Sequence, residues 1–242
     1  MVTESRGRLF LVPTPIGNLG DITTRALETL DQADVVACED TRVSGQLLKH
    51  FDLKKKLISY HNFNESGRAE LLVSILEEGK TVAIVTDAGS PGISDPAFRV
   101  VRAALHNDIE ITALPGPTAF IPALTASGLP TDRFFFEGFL SNKSGARRKR
   151  LEAIRRYEHT LVFYESPHRI GKALADMHDV LGDRQACVAR EISKKFEEYI
   201  RGSLSNILQV LTKRSVKGEI VLVVAGYIPD REDGNLSDEE RQ

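Results

Sequence analysis

The sequence predicts an α/β protein of two domains, with a mostly parallel sheet in the first half, a mixed sheet in the second and a cleft between them. Two observations carry this expectation. Short apolar runs closed by Gly, Pro or Asp alternate with segments of helical periodicity, which is the punctuation of βαβ units. That rhythm breaks at Gly128-Leu129-Pro130 and then restarts, which places a boundary near Thr125 to Asp132.

In chain order, first-half strands are expected at Leu9 to Val12, Val35 to Ala37, Val82 to Val85 and Ile109 to Leu114. The first helix is expected to take Asp21 as its cap and to carry Ile22, Ala26, Leu27 and Leu30 on one face. Further helices are expected at about Val43 to His50, Glu65 to Glu78, Pro96 to Asn107 and Thr118 to Ala126. In the second half, strands fall at Phe134 to Phe136, Leu161 to Tyr164, Ala186 to Ala189 and Ile220 to Ala225. A basic helix separates the first two, and another starts at Pro167 behind a Ser166 cap. Phe196 to Arg201 and Ile220 to Ala225 are expected to pair as an antiparallel ribbon, which makes this sheet mixed. The domains are thus residues 1–126 and 127–228; residues 229–242, with six acids against two bases, read as a disordered or weakly helical tail.

Composition sets limits on function. At 242 residues, 41% hydrophobic and 27% charged, the chain can bury a substantial core and is neither disordered nor collagen-like. Nothing approaches the ~20 apolar residues of a membrane span, and the N-terminal apolar run is too short for a signal peptide, so a cytoplasmic enzyme is expected. Cys38 and Cys187 sit far apart in strand-like runs and read as core thiols. The six histidines lack ligand spacing, so no metal is expected.

A net charge of −2 hides a local asymmetry. Lys143, Arg147, Arg148, Lys149, Arg150, Arg155 and Arg156 crowd one short stretch with only Glu152 against them. A charge run is commonly a solvated helix face, but here both helix faces and the preceding loop are basic, which equally suits an anionic partner.

In open α/β sheets, ligands bind outside the carboxyl ends of the strands. Those ends read Pro13-Thr14-Pro15-Ile16-Gly17-Asn18, Glu39-Asp40-Thr41-Arg42, Thr86-Asp87-Ala88-Gly89-Ser90-Pro91-Gly92, Glu165-Ser166-Pro167-His168-Arg169 and Arg190-Glu191. Any one of them is an ordinary βα turn; five together point to a site. Asp87 to Asp95 is the most telling segment, because two glycines let backbone groups approach a ligand while Asp87 and Ser90 fix a polar group. No G-x-G-x-x-G follows the first strand and no G-x-x-x-x-G-K-[ST] occurs, so a phosphate cradle is unsupported, as is a G-x-S-x-G nucleophile elbow.

Read together, LFLVPTPIGNLGDITTRALETL, CEDTR, TDAGSPGISDP, LPGPTAFIPALTASGL, FYESPHRI and AREISKKFEE resemble the ribosomal RNA small subunit (cytidine-2′-O)-methyltransferase I family, an RNA-directed branch of the tetrapyrrole methylases. The resemblance spans Leu9 to Ala225. Two departures are visible: Ala97 stands where members usually have Gly, and the chain ends at Gln242 where members commonly continue into a helical extension.

The resemblance implies a two-domain tetrapyrrole-methylase-like homodimer that binds S-adenosyl-L-methionine in its cleft and acts on ribosomal RNA in the small subunit. Carried onto this chain, it implies cofactor contacts at Pro13, Asp87, Ala88, Gly89, Ser90, Gly116, Thr118, Ala119, Tyr164 and Glu165. Moving a methyl group to a ribose hydroxyl needs an acceptor for the hydroxyl proton. The strand-end candidates are Glu165, Asp40, Glu191 and His168, and the sequence does not choose among them. For RNA, the candidates are Lys143, Arg147, Arg148, Lys149 and Arg150 in the basic stretch, with Arg42, His168, Arg169, Lys194 and Lys195. For Arg42, Lys194 and Lys195 a plain surface ion pair serves equally well. Two rival readings share the fold: a small-molecule tetrapyrrole methyltransferase, which the basic stretch disfavours, and a non-catalytic RNA-binding protein.

Overall fold

The computed structural model describes residues 7–61 and 65–229. All but the first position of the expected acidic tail lies outside the described residues. The described residues divide into two compact units: those through Ala123 together with Ala189–Glu198 form the first, and Leu124–Val188 with residues 199–229 form the second.

The first unit holds β1 (Arg8–Leu11), α1 (Thr24–Gln32), β2 (Val35–Cys38), α2 (Thr41–His50), β3 (Lys56–Ser59), α3 (Glu65–Glu77), β4 (Val82–Ile84), α4 (Phe98–His106) and β5 (Glu110–Ala113). Its strands lie in the order β3-β2-β4-β1-β5, every neighbouring pair parallel. Both faces are covered, so these strands are apolar at consecutive positions rather than at alternate ones. Val35 and Ala37 pack with Leu72, Leu76, Val100 and Ala104, while Val36 and Cys38, one residue out of phase, pack with Ala26, Leu30 and Leu48. The helices α3 and α4 therefore cover one face, and α1 and α2 the other.

Local signals explain most of the boundaries. Asp40 caps α2 by accepting from the Arg42 N–H, so this helix starts two residues earlier than its apolar periodicity suggests. The cap of α1 is Thr23, which accepts from the Ala26 N–H, and not Asp21 as expected: Asp21 sits in a 3₁₀ turn at Leu19–Asp21 that Asn18 caps. β3 was not anticipated. It is an edge strand of four residues in which only Ile58 is buried, too short to announce itself.

After α5 (Phe120–Thr125), the rest of the chain builds β6 (Phe134–Phe139), α6 (Ser144–Ile154), β7 (Thr160–Glu165), α7 (Ile170–Leu181), β8 (Gln185–Arg190), β9 (Glu198–Ser203), α8 (Leu204–Thr212) and β10 (Ile220–Val224). The order is β6-β7-β10-β8-β9, with β6 and β7 parallel and β7 and β10 antiparallel, so the sheet is mixed as expected. The expected ribbon is not formed. β8 lies between β9 and β10, and β10 pairs with β7 instead, because the 16 residues from Leu204 to Glu219 contain α8 rather than a tight turn. One core serves the second unit, with Leu151, Leu161, Phe163, Leu174, Met177 and Leu222 at its centre. Ser166 does not cap α7. Residues 167–169 make a separate turn, and the helix begins at Ile170.

Candidate active site

The carboxyl ends of β1, β4 and β5 in the first unit are laced together by short polar contacts. Thr14, 1% exposed, donates its N–H to Gly89 O (2.9 Å) and accepts from the Gly89 N–H (3.0 Å). Its hydroxyl donates to Thr86 O at 3.0 Å. Gly89 has φ 91°, a left-handed conformation that a side chain would strain. Beyond it, Thr118 Oγ1 donates to Ser90 Oγ (2.7 Å), which donates to Pro117 O (2.9 Å). Gly116 serves another purpose: a Cβ there would stand 2.6 Å from the Pro13 Cβ, so its bareness lets the two loops touch. Pro13, Asp87, Ala88, Gly89, Ser90, Gly116, Thr118 and Ala119 thus converge within one unit, with Asp87 and Ala88 exposed. Tyr164 and Glu165 belong to the second unit.

The field at these strand ends is acidic. Asp87 accepts from the Asp40 N–H at 3.1 Å. Thr86, 6% exposed, donates its hydroxyl to Glu39 and also meets Asp95. Burial chiefly, with the Glu39 charge adding to it, pushes Asp95 up to about 6 against the pull of the Gly92 N–H and Thr86. The Cys38 thiol beneath is pushed up first by burial, then by Asp87, Asp40 and Glu39. Asp40 behaves oppositely: hydrogen bonds from the Arg42 guanidinium and N–H hold it down to about 2. Such a carboxylate is a weak proton acceptor near neutral pH.

The segment 189–198 carries strain. Glu191 and Ser193 have φ 51° and 67°, and Ser193 Oγ reaches Asp21. Glu191 accepts from Lys194 at 3.0 Å, and the Lys194 stem lies where a Cβ on Gly17 would stand. Lys195 sits over the ring of Phe196, 5.6 Å from its centroid.

In the second unit, Tyr164 packs edge-on to Phe136 at 5.1 Å. Glu165 is buried and accepts from the Ser166 N–H (2.7 Å) and from Arg169 Nε and Nη2 (2.8 and 2.5 Å). Both side chains are occupied with each other. His168 is exposed, and its ring has no polar partner among the described residues.

The basic stretch is largely answered by acids that the fold brings to it. Arg147, expected on the RNA-facing surface, has a side chain only 2% exposed and is paired with Asp176 at 2.5 Å, which withdraws it from solvent and leaves it a packing residue. Arg148 joins Asp176 and Asp179, and Arg150 makes a two-pronged pair with Glu137. Lys143 and Lys149 stay exposed without an ion pair among the described residues. Burial acts to raise Asp176, but hydrogen bonds from Ser144, Arg147 and Arg148 outweigh it and hold the carboxyl below its ordinary range.

A cleft of about 370 Å³ opens beside Thr14, Thr86 and Asp87, its far wall formed by α2 through Val43, Gln46, Leu47 and His50. Sequence reasoning did not single out Gln46 or His50. Their spacing of four on the helix that follows CEDTR was the available signal. Among the described residues, no group of three or more His, Cys, Asp or Glu is placed to hold a metal, and no helix is long and apolar enough to cross a membrane.

Two predictions follow from this geometry. Arg147→Ala removes the buried partner of Asp176 and leaves it Ser144 and the half-exposed Arg148, so it should cost about 1.5–3 kcal/mol in denaturant unfolding, whereas Lys149→Ala stays within about 0.5 kcal/mol of wild type. Asp95 has a folded pKa above its unfolded value, so its favourable contribution is complete below about pH 4 and is lost as pH rises through 6. Asp95→Asn, which cannot ionise, is therefore expected to raise Tm more at pH 8 than at pH 4, as read by calorimetry at both.

The comparisons with known proteins agree with this architecture. Residues 8–208 match the model of the family Tetrapyrrole (Corrin/Porphyrin) Methylases. A protein of Synechocystis sp. named ribosomal RNA small subunit methyltransferase I is 47% identical over 97% of this chain and 86% of its own. Proteins of the same name from Streptococcus pyogenes serotype M18 and Halalkalibacterium halodurans are 48% and 45% identical, over 95% and 92% of this chain and 80% and 77% of theirs. Among solved structures, a diphthine synthase superposes with a TM-score of 0.72 at 17% identity, covering 91% of this chain and 90% of its own. A uroporphyrin-III C-methyltransferase from Thermus thermophilus, complexed with S-adenosyl homocysteine, reaches 0.62 at 22% identity over 90% and 97%. At such identities these two speak for the fold alone. The matched model and the close relatives together establish that the chain belongs to the tetrapyrrole methylase family, in the group named ribosomal RNA small subunit methyltransferase I.

Proposed function

We propose that this protein transfers a methyl group from S-adenosyl-L-methionine to the ribose 2′-oxygen of a cytidine in ribosomal RNA held in the small subunit, working in the cytoplasm as a homodimer. The observation that carries the reading is kinship with methyltransferases of that name along nearly the whole chain. The site suits the cofactor. S-adenosylmethionine carries a sulfonium and an ammonium against one carboxylate, and the strand ends that would receive it present Glu39, Asp87 and Asp95 and no phosphate grip. Ala88 and Ala119 are small enough to let a ligand approach these loops closely, and Asp87 offers an exposed carboxylate for hydroxyl or ammonium groups.

When bound, the cofactor supplies an electrophilic methyl carbon. The protein's own part is to align the acceptor oxygen with it and to give the hydroxyl proton a destination. Of the four candidate acceptors, Asp40 is held too acidic by Arg42, Glu165 is buried under Arg169, and Glu191 is paired with Lys194. Among the described residues, the His168 ring alone of the four groups makes no polar contact, and the reading assigns it the proton. Lys143, Lys149 and the half-exposed Arg148 and Arg150 supply phosphate contacts, with Arg42, Arg169, Lys194 and Lys195 as further cations. A dimer finds support in Phe98 and Leu105, 66% and 61% exposed and two turns apart on α4.

The neutralisation of α6 by Asp176, Asp179 and Glu137 favours keeping a tetrapyrrole as the second reading, so the test must include one. Radiolabelled methyl transfer is measured to unmodified small subunits, free ribosomal RNA and a tetrapyrrole precursor. Label is expected in subunit RNA, resistant to alkali at one ribose. Lys143→Ala/Lys149→Ala should raise KM in a salt-dependent way, and His168→Ala should lower kcat by about 10²–10⁴-fold. Label confined to the tetrapyrrole, or found on a base, contradicts the reading.

A further inference from the structure

We infer that the cleft between the β1–α1 loop and α2 is the seat of the target nucleotide, with Gln46 and His50 reading the edge of its base. The inference rests on the proposed RNA substrate and specifies where that substrate enters the first unit. At about 370 Å³, the cleft falls in the range of small-molecule sites, roughly 300–1,000 Å³.

The lining has the layout that a flat heterocycle requires. On α2, Val43 and Leu47 form one row at spacing four, and Gln46 and His50 form a second row beside it. Leu19 on the facing 3₁₀ turn is 42% exposed and Val43 is 41% exposed, so each wall offers the cleft an apolar side chain that the fold itself leaves uncovered. A nucleobase drawn out of RNA is held in this way, between apolar side chains with polar groups at its hydrogen-bonding edge. Gln46 makes no side-chain hydrogen bond among the described residues and can both donate and accept.

The surroundings supply the rest of a nucleotide's requirements. Arg42, adjacent to Val43, has a side chain 86% exposed, and the Lys194 stem packs on Gly17 in the cleft wall, which places two cations near the mouth for flanking phosphates. Methyl transfer demands that acceptor and donor be neighbours, and this cleft shares Thr14 and Asp87 with the loops assigned to the cofactor.

The test titrates cytidine 5′-monophosphate into wild-type protein preloaded with S-adenosylhomocysteine, and into Gln46→Ala/His50→Ala treated alike. Both positions are exposed on α2, and a denaturant midpoint equal to that of wild type certifies that the variant is folded. The monophosphate is expected to bind wild type in the presence of S-adenosylhomocysteine and to bind the variant about tenfold more weakly, the effect of losing one or two uncharged hydrogen bonds. KM for small subunits should rise by a similar factor while S-adenosylhomocysteine affinity stays within twofold. Competition between the two ligands, or loss of S-adenosylhomocysteine binding by the variant, would assign the cleft to the cofactor and overturn the inference. Equal monophosphate affinity in variant and wild type would overturn it too. Should wild-type protein methylate no RNA at all, the functional reading fails separately, and the titration still decides whether the cleft takes a nucleotide.

Discussion

Everything proposed for the first unit hangs on how Thr14 joins the ends of β1 and β4. Parallel strands leave their carboxyl ends without a turn to hold them, so the loops that follow need fastening of their own. Thr14 provides it in both directions of the chain, by a two-way backbone bridge to Gly89 and a buried hydroxyl bond to Thr86 O. A neutral bond of this kind contributes only about 1 kcal/mol, but leaving its buried acceptor empty costs about 1–3 kcal/mol. From this clamp, Thr86 extends the network to Glu39 and Asp95, while Gly89 turns the chain into Ser90, Pro117 and Thr118.

Charge is arranged around the same strand ends. Glu39, Asp87 and Asp95 lie there, and the cations Arg42 and Lys194 are each paired with a carboxylate of their own. The basic stretch of the second unit is by contrast half structural. Arg147 and Asp176 are a buried pair that stays charged because Ser144 and Arg148 satisfy the remaining lone pairs of the carboxylate. The stretch therefore has fewer unpaired cations than the sequence suggests, chiefly Lys143 and Lys149 among the described residues.

Much of this was legible in the residues. Apolar runs such as Val35 to Ala37 declare strands buried on both faces. Features that needed the third dimension were not legible. β3 has one buried residue, and β9 and β10 look like a ribbon until α8 is seen to carry the chain across β8. Arg147 meets Asp176 across 29 residues and Asp95 feels Glu39 across 56, distances over which local charge counting is blind. His50 and Gln46 stayed unnoticed because polar residues on an exposed helix are ordinary until a facing wall makes them a cleft.

The most direct test of the account is Thr14→Val, which keeps the shape and the backbone bridge and removes only the hydroxyl. Binding of S-adenosylmethionine is measured by calorimetry alongside the denaturant midpoint. The account predicts that the variant loses about 1–3 kcal/mol of stability and at least about tenfold in cofactor affinity while remaining folded. Unchanged cofactor affinity at the same loss of stability would mean that the Thr14 clamp holds the sheet but not the site, and would contradict it.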